Sequence, residues 1–420
     1  MGDGAFLAVA VVILGFGLVS RRLEGTVLTP PMVFIAVGWL IGPDVFGLLD
    51  VSFESGFVET VFELTLVIVL FTDASRIELA ALKQGFTRPL RLLGIGLPLT
   101  IVLGTLAGLA LLDGLQLWEA AVLAVVLAPT DAALGAAVVN SPEVPTGVRQ
   151  TINVESGLND GIAVPVLFVA ISLAAATTDA GDAGEWAVFA VREIGLATLV
   201  GVAIGWGGGT LVHWGHRSGW MSEVFERLAA VGLALAAFAL ADLVDASGFI
   251  AAFVAGVAVG NLARPVCTPL FEFAEAEGEL LTLLTFLFFG AVGVPLAIDA
   301  FGWRTALYVL LSLTVVRMIP VLLSLIGSGL HRETRLFIGW FGPRGIATVV
   351  FAIIVLEHPE VPGEVIVPIA SLAVVASALL HGITAAPWAR HLGRSLHAMD
   401  DDEMAEMEPA PDLPMRVRRS

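Results

Sequence analysis

The sequence contains a single cysteine, Cys267, among 420 residues. A lone cysteine excludes an intramolecular disulfide and a metal site of clustered thiolates. The seven histidines form no HExxH pattern and no other ligand pair on one helical face. No apolar run carries a Ser–His arrangement typical of a hydrolase. We therefore predict a protein that is not an enzyme and that needs no cofactor.

Charge is also scarce. Charged residues make up 14% of the chain, whereas about a quarter is usual in a soluble protein. Hydrophobic residues make up 57%, and the mean hydropathy is +0.92. These values exclude an ordinary soluble domain and predict a multi-pass protein of the cell membrane, surrounded by the lipid bilayer. The net charge of −18 argues against nucleic acid as a partner.

Apolar runs recur along most of the chain. A helix that crosses a bilayer needs about 20 mostly apolar residues. Met1–Ser20 is apolar but lacks a basic start and a cleavage site, so we predict a first span and not a signal peptide. The sequence predicts an all-α polytopic fold with about thirteen spans, at 5–20, 30–49, 57–75, 90–112, 118–139, 149–176, 186–212, 226–243, 247–262, 279–297, 301–326, 335–356 and 364–390.

The basic residues predict how these spans are oriented, because cytoplasmic loops are enriched in lysine and arginine. All but four of the 21 basic residues fall in the loops after odd-numbered spans or in the last part of the chain. The even-numbered loops are acidic, as at Asp113 and Glu119. We therefore predict that the N-terminus lies outside the cell and that the C-terminus lies in the cytoplasm.

Two spans contain helix breakers near their middle. Span 5 carries Pro129 followed by Thr130 and Asp131, and span 12 carries the sequence Gly-Pro-Arg-Gly at 342–345. Proline removes a helical hydrogen bond, and in a membrane the freed backbone must be satisfied by protein or by a water-lined cavity. Each break falls in the fifth helix of a six-helix half, on either side of span 7. This arrangement predicts two inverted repeats whose broken helices cross at a transport site.

Acidic and polar residues cluster in span 6, beside the first of these breaks. Glu155 and Asn159 are four residues apart and share one face of a helix, and Ser156 and Asp160 share the neighbouring face. An ionisable residue at membrane depth is costly and is by default a functional candidate. The sequence therefore predicts that span 6 contributes carboxylate, hydroxyl and amide groups to one site.

The predicted site offers only oxygen ligands. Hard cations prefer oxygen, and soft transition metals prefer nitrogen or sulfur. The donor set suits a partly dehydrated Na⁺, Li⁺ or K⁺. A deep carboxylate that is poised to hold either a proton or a metal ion is the chemical basis of cation/proton exchange.

Arg317 and Arg344 are the two cations that fall inside predicted spans. Either one would balance the surplus negative charge, and one of them is predicted to hold Glu155 in a structural ion pair. Asp73, near the inner end of span 3, is predicted either to line an ion pathway or to be an interfacial residue. Glu63 lies deeper in the same span, and the sequence suggests no role for it.

Four short motifs together resemble the cation/proton antiporter-1 family, whose prokaryotic members are the NhaP-type sodium/proton antiporters. They are PTD at 129–131, ESGLND at 155–160, VVRMIP at 315–320 and the GPRG break. The resemblance covers nearly the whole chain. It implies that Asp160 is the alternating proton and cation site and that Arg317 holds Glu155.

The resemblance has further implications for the site. Thr130, Asp131 and Ser156 would be additional ion-site residues, and Asn159 would also be held by the arginine. The Asn-Asp pair at 159–160 resembles the electroneutral exchangers, whereas the related electrogenic branch has two aspartates there. The LFTDAS sequence around Asp73 departs from the acidic motif of many relatives, which leaves the role of Asp73 and the ion preference open.

The family also implies a homodimer with two structural domains. A dimerisation domain would comprise 1–85 and 186–297, and a mobile ion-transporting core would comprise 86–185 and 298–392. The remaining residues, 393–420, are predicted to form a disordered cytoplasmic tail because charged residues dominate them.

Together these observations predict a secondary transporter that exchanges Na⁺ or Li⁺ for H⁺, one for one, by alternating access, with a role in pH homeostasis. K⁺/H⁺ exchange on the same scaffold is the near alternative, since the residues named do not discriminate between the two ions. A cation channel is a less favoured alternative. A channel needs a continuous pore, usually lined by several subunits, whereas one deep carboxylate site between two broken helices suits alternating access.

Overall fold

The computed structural model describes residues 3–23, 26–53, 55–76, 87–177, 183–262 and 264–397. Within these ranges the protein consists of helices joined by turns and short unwound stretches, and it contains no β-strand. In chain order the helices are α1 (Asp3–Leu23), α2 (Pro30–Ile41), α3 (Gly56–Ser75), α4 (Thr87–Leu111), α5 (Leu117–Val126), α6 (Ala136–Val139), α7 (Thr146–Thr177), α8 (Ala183–Arg217), α9 (Glu223–Asp242), α10 (Gly248–Leu262), α11 (Arg264–Asp299), α12 (Trp303–Leu313), α13 (Val315–Ser324), α14 (Arg332–Trp340), α15 (Ile346–Leu356) and α16 (Gly363–His397).

These helices follow the predicted apolar runs, and local chemistry sets their ends. Pro30 and Pro31 occupy the first turn of α2, where the missing N–H group costs no helical hydrogen bond. The hydropathy predicted a span that ends at residue 49, but α2 ends at Ile41. Gly42 precedes Pro43 and takes an extended backbone conformation, which the residue before a proline prefers.

Several helices are longer than the sequence predicted, among them α8, α11 and α16. α11 begins at Arg264 instead of 279, and α16 continues to His397. The first residues of the predicted tail are therefore helical. Leu392 and Leu396 are buried against the neighbouring helices, and this packing extends α16 beyond the apolar run. The rest of the predicted disordered tail, 398–420, lies outside the described residues.

Among the described residues, seven helices are both long and apolar enough to cross a membrane, when α12 and α13 are counted as one. Four more apolar helices, namely α2, α5, α10 and α15, have 10–17 residues. Two of the short ones, α5 and α15, are halves of the interrupted spans 5 and 12. The helical, apolar architecture agrees with the sequence, while the count of thirteen spans and the inverted repeats remain predictions.

The helices pack in two groups, which meet where α8 contacts α7 and where α11 contacts α16. In one group α10 packs against α3 and α8, and α2 packs along α11. Gly260 of α10 lies so close to α3 that an added Cβ would be 1.9 Å from the Ser75 carbonyl oxygen. Small residues allow such approaches between helices in membranes. In the other group α5 packs against α4 and α7, and α15 packs against α16. α3 also contacts α7 and α15, and Asp73 near its C-terminal end lies beside Gly157 of α7.

Candidate functional site

Two unwound segments meet near the middle of the second group. The first break, 127–135, separates α5 from α6 and contains Pro129. The second break, 341–345, separates α14 from α15 and contains Pro343. The two breaks contact each other directly, because the Asp131 N–H donates to the Pro343 carbonyl at 2.7 Å. Each segment thus supplies a partner for the backbone of the other, as unwound chain in apolar surroundings requires.

The carboxylate of Asp131, from the first break, caps the helix that follows the second. Its Oδ2 accepts a hydrogen bond of 2.7 Å from the N–H of Ile346, the first residue of α15. Its Oδ1 accepts one of 2.9 Å from the Leu134 N–H. The start of a helix carries partial positive charge and unsatisfied N–H groups, so it stabilises a carboxylate. A Cβ on Gly345 would lie 2.1 Å from Oδ2, and only glycine leaves room for this contact.

Arg344, from the second break, makes the reciprocal contact. Its guanidinium is fully buried, and Nη1 donates to the carbonyls of Ala128 and Pro129 at 2.8 and 3.0 Å. These carbonyls lie just past the end of α5, where a helix exposes unsatisfied acceptors and partial negative charge. Each break therefore directs a charged side chain to a helix end next to the other break. Asp131 binds the start of α15, and Arg344 binds the carbonyls after the end of α5.

The polar face of α7 lies against the first break. Asn159 Nδ2 donates to Thr130 Oγ1 at 2.7 Å, and Thr130 Oγ1 is 2.9 Å from Ser156 Oγ. All three side chains are buried, and so is Asp160, which follows Asn159 on α7 and is 7% exposed. The predicted residues of spans 5 and 6 are thus brought together, with hydroxyl, amide and carboxylate oxygens in a small buried region.

Glu155 forms a bidentate ion pair with Arg317 of α13. Arg317 Nη1 lies 2.6 Å from Glu155 Oε1, and Nη2 lies 2.7 Å from Oε2. Both side chains are 2% exposed, so the pair is almost completely removed from solvent. The sequence had left two arginines as partners of Glu155, and the structure pairs it with Arg317. Gly342 lies beside this pair, since a Cβ there would be 2.6 Å from Arg317 Nε.

Asp73 reaches α7 from α3. A Cβ on Gly157 would lie 3.2 Å from the Asp73 Cβ and 3.7 Å from Oδ2. Gly157 is three residues before Asp160, so Asp73 and Asp160 approach neighbouring parts of one helical face. The structure therefore places Asp73 beside α7, and its role in a pathway stays a prediction, as does that of an interfacial residue near Arg76.

Sequence reasoning missed Ser377 and His381 of α16. The expectation that no span brings a serine and a histidine together is wrong, because Ser377 Oγ lies 3.1 Å from His381 Nδ1. Both side chains are buried, and Ser377 Oγ accepts the Arg344 N–H at 2.7 Å. They serve the backbone of the second break and are not arranged as a nucleophile and base open to a substrate. Their spacing of four residues on one helical stripe was the available signal.

Glu63 belongs to a separate group of three carboxylates. The carboxylate oxygens of Glu59, Glu63 and Glu357 lie within 4.8 Å of one another, at the outer ends of α3 and α15 in the predicted orientation. Partial burial raises the pKa of Glu357 from 4.5 to about 7, and a hydrogen bond with Glu59 and repulsion from nearby carboxylates, Asp242 included, act in the same direction.

This cluster predicts a pH dependence of stability. An acid whose pKa is higher in the folded protein stabilises it most at low pH, and the contribution is lost between about pH 4.5 and pH 7. Glu357→Gln, which cannot ionise, should raise the melting temperature at pH 8 and leave it nearly unchanged at pH 5. Glu360→Gln, outside the cluster, is the control. Equal melting temperatures of the Glu357 variant and the wild type at pH 8 would contradict this assignment.

The buried ion pair predicts a large loss of stability when it is broken. Glu155→Ala or Arg317→Ala leaves an uncompensated charge in the interior, which costs roughly 3–5 kcal/mol. Thermal denaturation of the purified protein measures the loss. Arg304→Ala, which removes the exposed partner of Asp113, should change the melting temperature little. A Glu155→Ala protein that melts like the wild type but does not bind or move ions would show that Glu155 belongs to the ion site.

Several known proteins resemble this chain. The K(+)/H(+) antiporter NhaP of Alkalimonas amylolytica is 26% identical over 378 residues, which are 89% of this chain and 64% of that protein. The K(+)/H(+) antiporter NhaP2 of Shewanella oneidensis is 24% identical over 394 residues, 92% of this chain and 66% of that protein. The chain thus spans just under two thirds of the length of these relatives.

Comparison with solved structures identifies the same fold. The sodium proton antiporter MjNhaP1 from Methanocaldococcus jannaschii, solved at pH 8, superposes with a TM-score of 0.73 at 21% identity, over 91% of this chain and 99% of that one. The model of the transmembrane region of sodium/hydrogen exchangers matches residues 7–391. This match covers all of the described site, and the chain therefore belongs to the sodium/hydrogen exchanger family.

Proposed function

We propose that this protein exchanges a monovalent cation for protons across the membrane, and that Asp160 carries both in turn. The observation that supports this most directly is the crossing of two broken helices beside a buried carboxylate. Asp131 and Arg344 bind backbone groups of the two breaks, and Thr130 and Ser156 bring hydroxyl oxygens to the same region. This arrangement suits a transporter better than an enzyme, because the site presents no nucleophile with a base.

Asp160 is the best candidate for the exchanging group because it is a buried carboxylate that follows Asn159 on the polar face of α7. Glu155 is neutralised by Arg317, and both carboxylate oxygens of Asp131 accept backbone N–H groups. Ser156 supplies a hydroxyl oxygen one turn before Asp160, and Thr130 of the first break contacts Ser156 and accepts a hydrogen bond from Asn159. A cation at Asp160 would share these oxygens, and a proton would replace it when it leaves.

The proposal includes an electroneutral, one-for-one cycle. Asn159 places an amide where a second titrating aspartate would add a charge. With Asp160 as the only exchanging carboxylate, one proton leaves for each monovalent cation that binds. The site then has the same net charge when it carries a cation as when it carries a proton.

Alternating access would move one helix group against the other. The group formed by α4–α7 and α12–α16 holds the site and corresponds to the predicted core, and the group formed by α1–α3 and α8–α11 corresponds to the predicted dimerisation domain. Asp73 on α3 would then line the inner pathway. The two domains, the inverted repeats, the homodimer and the orientation with the basic loops in the cytoplasm are parts of this proposal.

Sodium is the proposed cation, with Li⁺ accepted on the same ligands. Potassium is the second candidate, and a specific observation favours it: the two relatives compared above carry the name K(+)/H(+) antiporter. The oxygen ligands on Thr130, Ser156 and Asp160 serve any of these ions. Proteoliposomes with an imposed pH gradient and Na⁺, Li⁺ or K⁺ in turn would decide between them.

Coupled exchange should be lost in Asp160→Asn. The amide cannot alternate between a proton and a cation, so the expected rate falls to that of empty liposomes while the protein remains folded. Ser172→Ala, about three turns further along the same helix, removes a side-chain hydrogen bond to the Phe168 carbonyl and serves as a folding and insertion control. Cation-driven proton movement near the wild-type rate in Asp160→Asn would refute the assigned role, and wild-type cation flux without proton movement would indicate a channel.

Voltage tests the stoichiometry. A membrane potential is worth about 2.3 kcal/mol per elementary charge per 100 mV, so it acts on uneven exchange and not on even exchange. We expect the equilibrium pH gradient at a fixed Na⁺ gradient to be the same at zero and at a large inside-negative potential. The potential is set with K⁺ and valinomycin if K⁺ is not a substrate. A shift with voltage would contradict one-for-one exchange and make Asp131 the first suspect for a second proton.

A further inference from the structure

The second break is held at both ends by α16. His381 Nε2 lies 2.9 Å from the carbonyl oxygen of Trp340, the last residue of α14. The Arg344 N–H, two residues before α15, donates to Ser377 Oγ. Ser377 and His381 are one helical turn apart and contact each other. A single patch of α16 therefore binds the chain where it leaves one half-helix and where it enters the next.

Both ring nitrogens of His381 face hydrogen-bonding partners. Nε2 faces the Trp340 carbonyl, which accepts from a ring N–H. Nδ1 lies 3.0 Å from the Ser377 carbonyl oxygen and 3.1 Å from Ser377 Oγ. Ser377 Oγ in turn accepts the Arg344 N–H. The chain of bonds is continuous from Arg344 through Ser377 and His381 to Trp340.

Ring packing strengthens the same attachment. The imidazole lies 5.3 Å from the Trp340 ring and 6.4 Å from the Phe341 ring, measured between centroids. His381 is 1% exposed, so these contacts and hydrogen bonds are made away from solvent. Moving the second break away from α16 would separate all of them together.

The position of the second break matters for the exchange site. Its carbonyl at Pro343 accepts the Asp131 N–H, its Gly345 leaves room for the Asp131 carboxylate, and its Arg344 reaches the end of α5. Gly342 also lies against Thr130, since a Cβ there would be 3.0 Å from the Thr130 methyl carbon. A shift of the second break would therefore change the geometry of Thr130 and Asp131 in the first break.

We propose that His381 is a positioning residue of the exchange site. It holds the second break on α16 in the position at which Asp131 binds the start of α15 and Arg344 binds the carbonyls after α5. Its effect on cation affinity rests on the function proposed above, whereas its effect on the backbone of the break does not. The test therefore has one measurement for each.

The first measurement is amide hydrogen exchange of the segment 341–346 in the purified protein. In His381→Ala the amides of this segment should exchange about tenfold faster than in the wild type, because local opening no longer has to break the contacts of His381 with Trp340 and Phe341. His381→Gln keeps an N–H donor that reaches toward Trp340 and should restore most of the protection. Thr384→Val is the matched control. It lies one turn further along α16 and removes the partner of the Trp340 indole N–H without touching the backbone of the break.

The second measurement is the cation dependence of exchange in proteoliposomes. His381→Ala should raise the KM for the cation about fivefold, with His381→Gln close to the wild type and Thr384→Val unchanged. A merely structural loss would lower the amount of active protein, and therefore the maximal rate, without moving KM. The KM comparison thus separates positioning from destabilisation.

Each outcome decides the proposal. Unchanged protection of 341–346 in His381→Ala would overturn it whether or not the protein transports. Faster exchange of the segment with an unchanged KM would also overturn it, because the cation site would then be insensitive to the anchor. If the wild type shows no coupled transport, the proposed function fails and the amide measurement alone decides whether His381 holds the break.

Discussion

The site depends on one constraint, which is that two interrupted helices must cross inside an apolar protein without leaving their backbone unsatisfied. The structure meets this constraint with two charged side chains, each of which reaches from its own break to a helix end beside the other break. The Asp131 carboxylate caps the start of α15, and the Arg344 guanidinium binds the carbonyls at the end of α5. Each charge thus faces the end of a helix that carries the opposite partial charge. Neither break has this arrangement without the other.

Other buried polar residues of the site form two further sets, an ion pair and a hydrogen-bonded group. The Glu155–Arg317 pair joins α7 to α13 and fixes the helix that carries the polar face of the site. A buried pair of this kind is weak evidence for net stability, because desolvation offsets much of the attraction, but it is costly to break. Thr130, Ser156 and Asn159 form a hydrogen-bonded group between the first break and α7. Asp160 follows Asn159 on the same helix and is also buried, and it is the residue that we propose to hold the ion or the proton.

Much of this arrangement was predictable, because the signals were chemical and local. Pro129 and the Gly-Pro-Arg-Gly sequence predicted unwound chain, and the spacing of Glu155, Ser156, Asn159 and Asp160 predicted one polar helical face. The sequence did not predict which helix end each charge would cap, since that depends on how the breaks cross in space. Nor did it predict the role of His381, because a search for ligand pairs passes over a histidine whose partners are a backbone carbonyl and a serine.

The central claim is that Asp160 alone exchanges a proton for the cation, while Asp131 builds the site. Counting the protons released when Na⁺ or K⁺ binds to the purified protein in weak buffer tests it most directly, because a cation that displaces a proton from its ligand must release it. The account predicts about one proton per bound cation in the wild type, a weaker affinity with the same ratio in Asp131→Asn, and no release in Asp160→Asn. Proton release that persists in Asp160→Asn and disappears in Asp131→Asn would contradict the account.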